Sequence, residues 1–174
     1  MRIAVYSGSF DPLHEGHLAI LSCLNRSYDR VLLVVSPQNP FKGEAKADNA
    51  GLRLEQAKKV ISSRTDLGRV EVCDVEFSLS APHYTYRTLG VLQKMYPSDS
   101  LTLIMGADNL ACLSRWRNYS EILLDYGVDV YPRRGFDMAA DRDALLRENP
   151  HYRIRLSDMP LVDISSTQIR QAEG

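Results

Sequence analysis

Cysteine is scarce in this 174-residue chain. There are three, Cys23, Cys73 and Cys112, an odd number at wide spacing. That excludes a disulfide framework and a paired-cysteine metal ribbon, and the three read as reduced core residues of a reducing compartment. An excess of one charge is lacking too. Lys and Arg total 21 against 22 for Asp and Glu, a formal net charge of −1, which argues against a broad electrostatic footprint for nucleic acid. No apolar run is long enough to span a bilayer. The chain enters a strand pattern at once, with no leader-like segment before it. These absences point to a cytoplasmic protein. A hydrophobic content of 44% and a charged content of 25% suit one globular domain, residues 1–174, with a real core.

The glycine-based nucleotide signatures are missing as well. There is no Gly-x-Gly-x-x-Gly, and no Gly-Lys-Ser/Thr closes a phosphate loop. In their place stands Gly8-Ser9-Phe10-Asp11-Pro12-Leu13-His14-Glu15-Gly16-His17. It follows the apolar strand pattern Ile3-Ala4-Val5-Tyr6 and leads into the apolar helical pattern Leu18-Ala19-Ile20-Leu21. A turn thus delivers two imidazoles to a helix N-terminus, where free N–H groups and the positive end of the helix dipole favour anions. His14 and His17 are three apart and can share one face, which suggests a bound phosphate chain. A zinc site is the first competitor. Its helical motif needs His-Glu-x-x-His, and the spacing here is one residue too short, with Cys23 the nearest further ligand.

A second anion-ready terminus lies near the end of the chain, in Ile164-Ser165-Ser166-Thr167-Gln168-Ile169-Arg170. Ser165 can act as N-cap, and Gln168 three residues on completes a capping box. Ser166 and Thr167 add hydroxyls in the first turn. Arg170 falls near the same face and can hold phosphate in a bidentate way.

Strand and helix patterns alternate between these two segments. Strands are expected at 2–6, 30–36, 69–75, 101–105, 128–131 and 152–156. Val31-Leu32-Leu33-Val34-Val35 is apolar throughout, as a strand buried on both faces should be. Leu54, Ala57 and Ile61 mark one helix. Thr88, Leu92 and Met95 mark another that stops before Pro97. The charged stretch Met138–Glu148 reads as a surface helix. The alternation predicts an α/β fold: one doubly wound, mainly parallel Rossmann-like sheet with helices on both faces. Ligands then bind beyond the carboxyl ends of the strands. Residues 38–49 and 77–82 read as loops, either of which could serve as a mobile active-site loop.

The first segment resembles the His-x-Gly-His signature of a nucleotidyltransferase superfamily, and the second resembles that superfamily's Ile-Ser-Ser-Thr-x-x-Arg signature. Pro37-Gln38-Asn39-Pro40-Phe41-Lys42, Tyr84-Thr85-Tyr86-Arg87-Thr88-Leu89, and Gly106-Ala107-Asp108-Asn109 followed by Trp116 narrow the resemblance to the bacterial nicotinate-nucleotide adenylyltransferases. It extends over nearly the whole chain. Three departures stand out: Phe41 where the family often has histidine, His83 where it often has serine, and a chain that ends where relatives usually continue. The last leaves open a chain shortened at its C-terminus.

The resemblance implies that AMP passes from ATP to nicotinate mononucleotide, giving deamido-NAD and pyrophosphate in NAD biosynthesis. ATP and nicotinate mononucleotide would be the partners, and a homo-oligomer is left open. Catalysis would be positioning and charge stabilisation, with no protein nucleophile. His14 and His17 would donate to the ATP phosphates, and Lys42 and Arg170 would neutralise the departing pyrophosphate. The backbone of Gly8, Ser9 and Phe10 would lie against the adenylate and the attacking phosphate. Gly106, Asp108 and the Ile164–Thr167 terminus would complete the ATP site. Mg²⁺ would be held mainly by phosphates and water.

For the mononucleotide the resemblance implies Ser9, Lys42, Thr85, Tyr86, Trp116 and Arg133. Trp116 offers a flat ring for stacking on the pyridine, against a competing role in the core. The backbone N–H groups at Thr85 and Tyr86 would read the nicotinate carboxylate. Asp108 could bind ribose hydroxyls or serve as the N-cap of its helix. The alternatives are an adenylyltransferase for nicotinamide mononucleotide or pantetheine phosphate, and a nucleotide-binding regulator without catalysis.

Overall fold

The computed structural model describes residues 1–37 and 49–161. Six strands, β1 (Arg2–Gly8), β2 (Arg30–Val35), β3 (Val70–Cys73), β4 (Ser100–Gly106), β5 (Val128–Tyr131) and β6 (Ile154–Leu156), form one sheet in the order β3-β2-β1-β4-β5-β6. Every pairing is parallel. The helices are α1 (Glu15–Ser27), α2 (Ala50–Ser62), α3 (Thr85–Met95), α4 (Ala107–Cys112), α5 (Tyr119–Asp125) and α6 (Met138–Glu148). The order reverses between β1 and β4, so the crevice for ligands opens past Gly8 and Gly106.

Strand alternation divides the core in two. Ala4, Tyr6, Val31, Leu33 and Val35 face α1 and α2. Ile3, Val5, Leu32 and Val34 face the opposite side, with Leu89 and Leu92 of α3, Leu110 of α4, and Ile122 and Leu123 of α5. Leu21, Leu33, Leu89 and Leu92 are fully buried, each contributing about 1.5–3 kcal/mol through burial. The charged helix α6 buries no residue completely, as its sequence predicts. Cys23, Cys73 and Cys112 are free and half-buried, at the margins of the core rather than within it. Among the described residues no helix is long and apolar enough to cross a membrane.

The expected boundaries shift where side chains compete with the ladder. β1 runs two residues further than its apolar pattern, because Gly8 still pairs with Val35. β3 stops at Cys73, since Val75–Ser78 turns into a 3₁₀ segment, so the expected loop at 77–82 is helical at its start. β6 begins at Ile154, because Tyr152 is buried and its hydroxyl donates to Ser120 Oγ at 2.8 Å. Most of the 38–49 loop lies outside the described residues.

Candidate active site

His14 and His17 form a reciprocal cap at the start of α1. His14 is the N-cap, in an extended conformation, and its Nδ1 accepts the Gly16 N–H at 3.0 Å. The His14 N–H donates in turn to His17 Nδ1 at 3.1 Å. Histidines here do what Ser and Glu do in an ordinary capping box. The rings stack, with centroids 3.7 Å apart. Two of the backbone donors expected to face an anion are therefore consumed by imidazole nitrogens. The compensation lies in the tautomer. With both Nδ1 lone pairs accepting, each neutral ring carries its proton on Nε2. The pair presents N–H donors and no lone pair, which suits phosphate oxygens and not a zinc ion.

Three aromatic residues hold this pair neutral. The Phe10 ring meets His17 edge-on at 5.0 Å, and Tyr6 packs on both His17 and Phe10. Tyr131 stands edge-on to Tyr6, with the two hydroxyls 3.4 Å apart. Burial, followed by His14 and Arg133, brings His17 down to about 3. His14 is lowered by burial and by Arg133, and Tyr6 and Tyr131 are both raised by burial. Phe10 adopts a left-handed backbone (φ 47°) while only 4% exposed. Such a conformation costs about 1–3 kcal/mol in a non-glycine residue, and the buried ring offsets it. The expectation for Phe10 concerned its backbone. Its side chain turns inward and forms the wall behind His17.

The depressed His17 value has a consequence for stability. In the unfolded chain this imidazole titrates near 6.5. Below that pH the unfolded state binds more protons than the folded state, so stability falls as pH falls, by up to about 1.4 kcal/mol per pH unit. Urea melts between pH 6.5 and 5 should show this slope, and His17→Asn should flatten it. Equal slopes in the two proteins would place the titrating group elsewhere.

Gly106 is required by close approach. A Cβ there would sit 2.5 Å from Asp108 Oδ1, 3.0 Å from the Tyr131 ring and 3.1 Å from Arg133 Cγ. The absent side chain lets Asp108 and Arg133 converge beside the tyrosines. The N-cap of α4 is Gly106, and Asp108 sits one residue inside the first turn, so the capping role considered for Asp108 does not hold. Arg133, expected at the mononucleotide, stands electrostatically next to His14 and His17.

A second cavity of about 250 Å³ is lined by His83, Tyr84, Thr85, Arg115, Trp116 and Arg117. Thr85 opens α3, whose N-cap, Tyr84, makes no side-chain capping bond, so the first-turn N–H groups have no side-chain cap. Trp116 is half-buried. It packs against the core on one side and lines this cavity on the other. Tyr86 is not among the residues lining it. Its hydroxyl donates to Asp125 at 3.1 Å and its ring meets Tyr126, away from the cavity. A larger cavity of about 380 Å³, bordered by Cys23, Asp129 and Arg155, contains none of the candidate residues. Lys42, Ile164, Ser165, Ser166, Thr167 and Arg170 lie outside the described residues.

Tyr6, Tyr131 and Arg53 escaped the sequence reading. Arg53 did carry a signal, since it shares a helical face with Ala57 and Ile61, which are core residues.

A parallel sheet in this order, with a histidine pair at the mouth of β1, defines the cytidylyltransferase-like class of nucleotidyltransferases, whose family model matches residues 5–172. A Flavobacterium psychrophilum protein named "probable nicotinate-nucleotide adenylyltransferase" is 38% identical over 173 residues, 98% of this chain and 86% of that protein. One of the same name from Flavobacterium johnsoniae is 36% identical over 174 residues, 99% of this chain and 86% of its own length. The chain belongs to the nicotinate-nucleotide adenylyltransferase family. The fold is also that of the Plasmodium falciparum nicotinic acid mononucleotide adenylyltransferase complexed with NaAD. The two superpose with a TM-score of 0.79 at 20% identity, over 98% of this chain and 82% of that one.

Proposed function

We infer that this chain transfers AMP from ATP to nicotinate mononucleotide, giving deamido-NAD and pyrophosphate for NAD biosynthesis. The observation that carries the reading is the His14–His17 pair, whose Nδ1 atoms are committed to the backbone. The mononucleotide phosphate attacks the α-phosphorus in line, and the bond to the bridging oxygen of pyrophosphate breaks. Negative charge moves onto the bridging and α-phosphate oxygens. The two Nε2–H donors stabilise that charge without proton transfer, as preorganised dipoles in a desolvated site. Arg133, adjacent to the pair, adds a fixed positive charge, and Lys42 and Arg170 take the pyrophosphate. Gly8, Ser9 and Phe10 shape the turn at the reacting phosphates. Asp108 meets ribose hydroxyls.

The cavity at Thr85 and Trp116 takes the pyridine half, with the ring on Trp116 and the carboxylate at the N–H groups of Thr85 and Tyr86. Among the described residues no three His, Cys, Asp or Glu side chains converge as metal ligands. Mg²⁺ would arrive on the ATP phosphates and keep its waters. When bound it supplies charge neutralisation on the phosphates. The free thiols fit a cytoplasmic setting.

Incubation with ATP, Mg²⁺ and nicotinate mononucleotide tests the reading. Deamido-NAD and pyrophosphate should form in equal amounts. AMP in place of deamido-NAD would mean hydrolysis and overturn it.

A further inference from the structure

Arg53, on α2, is the only arginine among the described residues that is buried, at 3% exposure. Among the described residues its guanidinium makes three hydrogen bonds, all to backbone carbonyls. Nη1 donates to Ser9 O at 2.6 Å and to Ser36 O at 2.8 Å, and Nη2 donates to Pro37 O at 3.2 Å. These carbonyls lie just past the carboxyl ends of β1 and β2. The ladder between those strands closes with the Ser36 N–H donating to Gly8 O at 2.8 Å. Among the described residues this is the last rung between the two strands. Arg53 supplies donors from outside the ladder to these half-buried carbonyls. The planar fork spreads these donors over two nitrogens, whereas the N–H groups of a lysine radiate from one atom. Burial lowers the Arg53 pKa, and Asp11, in the same turn, opposes that shift.

The Ser9 carbonyl immediately precedes Phe10, the left-handed residue whose ring backs His17. We propose that Arg53 is a positioning residue for adenylyl transfer, clamping the turn after β1 so that Phe10 holds the His14–His17 pair in its donor geometry. It touches neither histidine and acts through the Ser9 peptide. This rests on the adenylyl-transfer reading.

The test compares Arg53→Met, Arg53→Lys and, as a control, Lys58→Met, a half-exposed position on the same helix. Turnover, both KM values, the melting temperature and the ¹⁵N shifts of the His17 ring are read for each. Arg53→Met should lower kcat by about tenfold, since small displacements of aligned groups are costly in rate, with each KM within about threefold. The ¹⁵N shifts should move from a fixed Nε2–H tautomer toward a mixture. Arg53→Lys should recover part of kcat, and Lys58→Met should match the wild type. A folded Arg53→Met with wild-type kcat and unchanged His17 shifts would overturn the proposal. Should Arg53→Met not fold, Arg53→Lys decides by the same readings. The ring shifts answer the question even if the wild type fails to transfer AMP, which separates failure of this proposal from failure of the functional reading.

Discussion

Replacing His17 by Ala should lower turnover by a hundredfold or more, the scale set by removing one preorganised donor from a site of developing charge. The His17 Nε2–H is the group lost. The ring also accepts the His14 N–H at 3.1 Å, so Ala additionally loosens the cap. His17→Asn separates the two effects, because its amide oxygen can replace Nδ1 as acceptor while no donor reaches the Nε2 position. It should melt close to the wild type and still lose turnover on the same scale. His17→Gln, whose amide nitrogen comes closer to the Nε2 position, should retain more activity than Asn. Near-normal turnover in His17→Asn would refute a donor role for this residue, and recovery tracking the melting temperature would make the cap the whole effect.

Trp116→Ala should raise the KM for nicotinate mononucleotide by roughly ten- to a hundredfold, corresponding to about 1–3 kcal/mol for stacking a flat ring on an aromatic side chain. The pyridine of the mononucleotide is cationic, and an indole face attracts a cation as well as a flat ring. The KM for ATP should change by less than about threefold, because Trp116 lines the cavity with Thr85 and takes no part in the histidine cap. The indole also packs against the core, so some loss of stability accompanies the change. Trp116→Phe should restore packing and most of the affinity. Equal increases in both KM values would assign Trp116 to the core alone.

Features encoded by neighbours along the chain were legible in the sequence. The buried strand at Val31–Val35, the surface helix Met138–Glu148 and the placing of two histidines at a helix start follow from local pattern. The resemblance brought together Thr85 and Trp116, which the fold does place around one cavity. What escaped depends on backbone geometry or on distant segments. Histidines are rarely caps, so their reciprocal use of Nδ1 could not be read from residue types. Asp108 follows a glycine in the manner of a cap, yet β4 continues through Gly106 and moves the N-cap back by two residues. Tyr131 reaches Tyr6 from 125 residues away. Arg53 shares a face with Ala57 and Ile61, yet the carbonyls it bonds come from Ser9, Ser36 and Pro37 and could not be read from that spacing.

Pyrophosphate release with ATP and Mg²⁺, comparing nicotinate mononucleotide, nicotinamide mononucleotide and pantetheine phosphate side by side, tests the central claim most directly. Strong preference for the nicotinate acceptor is expected, with the amide well behind and pantetheine phosphate at background. Release with none of the three, or equal release with the acid and the amide, would contradict it.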